Sequence, residues 1–139
     1  MDEQVKPCSD RVGPHWESRK EDLAALLDPD EAEPETLKAL GQDPEDPTLA
    51  EYGLAFDYVP AGTYDDQGDG YFRYQLSSGG PSDEIRFYVS LDLRMYRAEY
   101  WFLDWFDGAH LDVTEDPTAL AVWEWFQESG AVRTAYDQQ

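Results

Sequence analysis

Tyr71-Phe72-Arg73-Tyr74-Gln75-Leu76, then Ser77-Ser78-Gly79-Gly80-Pro81-Ser82, then Ile85-Arg86-Phe87-Tyr88-Val89-Ser90-Leu91 is the stretch that decides the fold. Phe72, Tyr74 and Leu76 share one face of the first run, and Ile85, Phe87, Val89 and Leu91 share one face of the last, which is the period-two pattern of half-buried strands. The connection between them is rich in Gly and Ser and too short for a parallel crossover, so the two runs predict an antiparallel hairpin. Outward from it the pattern repeats. Upstream, Tyr52, Leu54, Phe56 and Tyr58 alternate with Gly53, Ala55, Asp57 and Val59 as far as Pro60, and downstream Met95 to Phe106 reads as a longer, aromatic-rich strand. Four such segments joined by short turns predict an antiparallel four-stranded β-meander.

The flanks have helical spacing. Ser18-Arg19-Lys20-Glu21 has the spacing of a capping box, and Leu23, Leu26 and Leu27 follow before Asp28-Pro29, which predicts a helix over about 18–27. Pro34 to Leu40, closed by Gly41, predicts a second short helix. Near the other end Asp116 is a good N-cap, Pro117 suits a first helical position, and Leu120, Val122, Trp123, Trp125 and Phe126 make a broad apolar face up to Gly130. The expected architecture is therefore α+β: the four-stranded meander with helices packed on one face, short N-terminal helices and a C-terminal helix. Composition divides the chain near residue 50. Residues 1–50 hold six of the nine prolines and 14 acidic residues and read as an acidic, proline-rich helical arm or peripheral layer; residues 51–139 read as the α+β core domain.

Charge bounds the function. The 139 residues include 31 Asp and Glu against 10 Lys and Arg, a formal net charge of -21. A surface of that sign repels phosphate, which argues against direct binding of nucleic acid or of an anionic membrane. No run of 18 apolar residues occurs, and Met1-Asp2-Glu3-Gln4-Val5-Lys6 lacks the basic start and apolar stretch of a signal peptide, so the expected location is the cytoplasm. Cys8 is the lone cysteine, which leaves neither a disulfide framework nor a cysteine zinc site.

Several residue patterns bear on catalysis and cofactors. Asp104 and Asp107 lie among Trp101, Phe102, Trp105 and Phe106, where desolvation could tune a carboxylate pair for acid–base work; Asp107-Gly108 reads more simply as turn chemistry and Asp104 as the partner of an arginine. Asp65, Gln67 and Asp69 with Gly70 imitate the start of a calcium loop, but Leu76 stands where the bidentate Glu belongs. His110 has no second histidine near it in sequence, and no Gly-x-Ser-x-Gly, Walker or dinucleotide fingerprint occurs. The reading is of a protein that is not an enzyme, with no catalytic residues, no metal and no cofactor.

What remains is the acid pattern beside aromatic strands. Carboxylates held at phosphate-like spacing on a rigid frame can occupy the basic groove of a nucleic-acid-binding protein. Acids are distributed over the arm (Asp28, Asp30, Glu31, Glu33, Glu35, Asp43, Glu45, Asp46), a hairpin tip (Asp65, Asp66, Asp69), the next turn (Asp83, Glu84) and the sheet end (Asp104, Asp107 and Asp112, with Glu115 and Asp116 following). The hairpin tip, the turn and the sheet end are the candidate partner-binding groups, with Tyr64 and Tyr96 as the aromatic anchors that affinity needs. Arg73, Arg86, Arg94 and Arg97 fall on or beside the strands and are expected to tie the acidic surface together or to pair with Asp57, Asp92 and Glu99 across the sheet. Two other accounts of the charge stay open: adaptation to high salt, with Lys6, Lys20 and Lys38 the only lysines, and an immunity protein neutralising a basic nuclease toxin.

The run from Gly70 through Phe87, followed by Tyr100-Trp101-Phe102-Leu103-Asp104-Trp105-Phe106-Asp107-Gly108-Ala109, resembles a block carried by small acidic anti-defence proteins of phages and plasmids. The resemblance covers roughly residues 52–126. Antirestriction proteins of this kind share the size and charge but not the sequence. It implies an anti-CRISPR or antirestriction DNA mimic, a mobile-element product acting in the host bacterial cytosol. The implied partner is a basic nucleic-acid-binding protein or complex, a CRISPR effector or a restriction enzyme.

Overall fold

The computed structural model describes residues 7–45, 47–63, 68–79, 81–104 and 107–138. Helices α1 (Cys8–Leu27), α2 (Pro34–Ala39) and α3 (Leu49–Tyr52) precede strands β1 (Ala55–Val59), β2 (Tyr71–Ser77), β3 (Ser82–Val89), β4 (Met95–Asp104) and β5 (Asp107–Asp112). Helices α4 (Pro117–Glu128) and α5 (Ala131–Asp137) follow. The strands form one antiparallel sheet in the order β1-β2-β3-β4-β5. The fold is α+β, as expected, but the meander has five strands and not four.

The fifth strand comes from residues read as a turn. Asp104 pairs with Asp107, and the ladder continues through Leu103 with Gly108, Trp101 with His110 and Glu99 with Asp112. Ala109 and Leu111 face inward while Gly108, His110 and Asp112 face out, so the strand carries little apolar signal of its own. The first strand starts later than its alternation implies, because Leu49–Tyr52 is a turn of helix in which Thr48 Oγ1 accepts the Glu51 N–H at 3.0 Å.

Away from the irregularities near Ser77 and Tyr96, even-numbered residues of β1, β2 and β4 and odd-numbered residues of β3 and β5 face the helices. Phe72, Tyr74, Ile85, Phe87, Ala98, Tyr100 and Phe102 are all buried there. Phe126 of α4 stacks on Phe56 at 4.0 Å and Trp123 lies 5.2 Å from Phe87, so the last long helix is fastened by aromatic pairs. Its start is the expected one: Asp116 Oδ1 accepts the Thr118 N–H at 2.8 Å, with Pro117 next in the chain.

Helix α1 is twice as long as its leucine pattern implies. Cys8, Val12, Trp16, Leu23 and Leu26 form its buried stripe and join the same core cluster as the sheet and α4. Pro14 within it has no N–H to offer the Asp10 carbonyl, and tertiary contacts hold the first turns in place. The Asp107 carboxylate accepts the Cys8 N–H at 2.8 Å, capping from β5 an N-terminus whose own flanking residue, Pro7, supplies no side-chain cap. Arg11 meets Asp104 at 2.6 Å, and Trp16 Nε1 donates to Asp116 at 3.3 Å. The acidic arm thus begins with a helix built into the core.

Candidate partner-binding surface

Between α1 and the sheet a charged group is buried by design of its partners. Asp83, on β3, is 2 % exposed. Arg19 donates to both its oxygens, from Nε at 2.7 Å and Nη2 at 2.9 Å, while Ser77 Oγ and Tyr100 Oη donate at 2.5 and 2.6 Å. The register shift between Gln75 and Ser77 turns Ser77 to this side. Burial pushes the Asp83 carboxyl up, but the hydrogen bonds from Arg19, Ser77 and Tyr100 outweigh it and hold the group below its ordinary value. Arg19 also donates to Tyr52 Oη, which donates onward to Asp22. Burial, then the bond to Asp22, push the Tyr52 phenol up to about 12.

Asp83 and Glu84 are therefore interior residues and not members of an exposed turn. Glu84, 6 % exposed, accepts from Arg86 Nε at 2.6 Å. The reason is that the strand starts at Ser82, so the pair is laddered against Trp101 and Phe102 where a loop was expected.

The remaining candidates divide between two ends of the sheet. Asp104 and Asp107 sit at the β4–β5 hairpin, engaged respectively by Arg11 and by the Cys8 amide. That amide, with the Cys8 thiol, holds the Asp107 carboxyl below its ordinary value. At the other end of β4, about 30 Å away along a ten-residue strand, the Tyr96 hydroxyl donates to Asp69, and Tyr96 is 46 % exposed. Asp112 lies at this end too, lining a shallow depression with Tyr96, and accepts from Thr114 Oγ1 at 2.5 Å and its N–H at 2.9 Å. Those bonds lower the Asp112 carboxyl. Tyr64, Asp65 and Asp66 lie outside the described residues, as do Gln67 and Asp46.

The arginines meet the expected acids, but among the described residues only the Arg73 pair crosses between strands; those of Arg86, Arg94 and Arg97 are local to one segment. Arg73 grips Asp57, its cross-strand partner, at 2.8 and 3.1 Å, while Arg97 meets Glu99 at 3.5 Å and Arg94 meets Asp92 at 3.3 Å. Arg86 lies over Trp101 at 4.2 Å and over Tyr71 at 5.1 Å, and Arg97 over Tyr88 at 4.1 Å. On the sheet face turned from the helices, Asp57, Glu84, Glu99 and Asp112 are thus set against Arg73, Arg86 and Arg97, close to charge balance. The acid excess lies on the helical side. Asp10, Glu17 and Glu21 of α1, Asp28 to Glu35, Asp43, Glu45 and Glu51, and Glu124 and Glu128 of α4 are exposed.

Sequence reading placed the candidate surface on turns and strand ends and missed this imbalance between faces. Its signal was present in the position of the arginines, which alternate with core residues along β2, β3 and β4. Among the described residues no group of three His, Cys, Asp or Glu side chains could hold a metal ion, and no helix is long and apolar enough to cross a membrane. No protein-family model, curated protein or solved structure matches the chain.

Proposed function

We propose that the protein is a non-enzymatic inhibitor that imitates nucleic acid and occupies the basic nucleic-acid-binding surface of a host defence complex, a CRISPR effector or a restriction enzyme. The observation that carries this reading is the internal use of the cations. Arg11, Arg19, Lys20, Arg73, Arg86, Arg94 and Arg97 each face a carboxylate of the same chain. The excess acid is thereby left outward on α1, on α4 and on the segment from Asp28 to Glu51, where it steers encounter with a basic groove and stands in for phosphates. A mobile genetic element of a phage or plasmid, expressed in the bacterial cytosol, is the setting that fits such an inhibitor.

The test is DNA binding and cleavage by purified restriction endonucleases and CRISPR effector complexes with the protein as competitor, at about 50 mM and about 200 mM salt. Inhibition of at least one of them is expected, weakening by an order of magnitude or more across that range. Triple neutralisation of Glu31, Glu33 and Glu35 to Gln should weaken it further, while the fold is retained. Inhibition insensitive to salt, or no inhibition of any member of the panel, sinks the proposal. An unfolding midpoint that climbs steadily into molar salt, with no nuclease inhibited, would make the charge an adaptation to salt instead.

A further inference from the structure

At the end of the sheet where β1 and β3 stop and β2 and β4 begin, a cavity of about 350 Å³ opens between the strand ends and α5. Its size is at the small end of ligand cavities and has room for one side chain. Three tyrosines line it, Tyr58 from β1, Tyr96 from β4 and Tyr136 from α5, with Asp69 and the apolar side chains of Val89 and Leu93. The Tyr58 and Tyr136 rings meet edge to face at 5.1 Å. The described residues that line it include Asp69 and no lysine or arginine.

Three local departures from regular structure shape this cavity. Tyr96 is the extra residue of a bulge, since Tyr88 pairs with Arg97 and the next residue, Val89, pairs with Met95; bulges re-aim side chains and are frequent beside functional sites. Leu93 adopts φ 64°, a left-handed conformation costly for a branched apolar residue, in a turn closed by the Ser90 N–H to the Arg94 carbonyl at 2.9 Å. Gly70 leaves room for the Tyr58 hydroxyl, which would lie 2.1 Å from a Cβ at that position.

From this arrangement we infer that the cavity is a guanidinium pocket that receives an arginine side chain of the basic partner. Aromatic faces attract a cation through their quadrupoles, and a planar guanidinium also stacks on them. The exposed Asp69 carboxylate at the rim, already oriented by the Tyr96 hydroxyl, adds a charge-assisted hydrogen bond. This supplies what a uniformly acidic surface lacks, a directional anchor beside long-range attraction. The identity of the partner rests on the function proposed above; the chemistry of the pocket does not.

The test uses the full chain and short peptides, acetyl-Gly-Arg-Gly-amide and the same peptide with citrulline, the uncharged isostere of arginine, followed by NMR of the tyrosine ring protons. Saturable shifts at Tyr58, Tyr96 and Tyr136 are expected with the arginine peptide and not with citrulline. Asp69→Asn should weaken the arginine peptide by at least about threefold, whereas Glu128→Gln, which removes the same charge on α4, should leave it unchanged. Equal response to both peptides, shifts that avoid the three tyrosines, or equal weakening by the two variants would overturn the inference. Pocket variants that lose peptide binding yet keep full nuclease inhibition would refute the anchor while leaving the inhibitor reading intact, and peptide binding without any inhibited nuclease would do the reverse.

Discussion

Asp83 holds a carboxylate inside the protein because four donors from α1, β2 and β4 converge on it. Two of the donors belong to Arg19 of α1 and the others to Ser77 and Tyr100 of the sheet, so the group reports on the docking of α1. A buried carboxylate without its pair is costly, and a guanidinium that loses its carboxylate is penalised in proportion to its burial, which for Arg19 is partial. Asp83→Asn keeps the volume and removes the charge, leaving the Arg19 cation with neutral acceptors only, the Tyr52 hydroxyl and the new amide oxygen. We expect a loss of about 3 kcal/mol in urea unfolding, with an unchanged denaturant slope. A loss below about 1 kcal/mol, the usual size for a surface ion pair, would show that water reaches the pair and that the network does not fasten the helix.

At the scale of elements, α1 contains an avoidable weakness. Gly13 lies inside the helix, and a Cβ there would meet nothing within 4 Å. Gly13→Ala should therefore raise stability by about 0.5–1 kcal/mol, seen as a higher urea midpoint; destabilisation would mean that the helix is distorted at Gly13-Pro14. The same dipeptide explains what the sequence concealed. Helix α4 was legible because Asp116-Pro117 and Gly130 punctuate it and its apolar face is dense. Helix α1 was legible only from Ser18 onward, since Gly13 and Pro14 are breakers and the stripe of Cys8, Val12 and Trp16 is sparse. It forms because Asp107, Asp104 and Asp116, 93 to 100 residues away, bind it. Strand β5 was hidden for a related reason: Asp107-Gly108 has the chemistry of a turn, and only pairing with β4 makes it a strand. The candidate site was less legible than the fold. Acidity can be counted, but that Arg19, Ser77 and Tyr100 all meet at Asp83 depends on where α1 docks and on the register shift that re-aims Ser77. Tyr58, Tyr96 and Tyr136 come together only through topology.

Over the whole molecule, two opposed pH effects should be separable. The carboxyls of Asp83, Asp107 and Asp112 are held below their ordinary values. Their contribution is intact above about pH 4 and is lost as pH falls further, because the unfolded chain then binds protons more readily than the native one. The net charge of -21 acts the other way: protonating exposed carboxylates relieves repulsion in the compact state. The thermal midpoint should rise as pH is lowered from 7 toward about 5 and fall below about 4. A monotonic decline from neutral pH would mean that the acidic helical side is not under electrostatic strain. That side is also the part of the molecule with the most distant contacts. Strands β1 to β5 each pair with the segment just before or after them, so the sheet can grow in step with synthesis. Helix α1 cannot follow that order. It leaves the ribosome ahead of the sheet and finds Asp104, Asp107 and Asp116 only after nearly a hundred further residues have emerged. A helix made ahead of the sheet thus waits for its far edge, and a chain stalled before β5 keeps α1 unseated however complete the rest of the sheet has become.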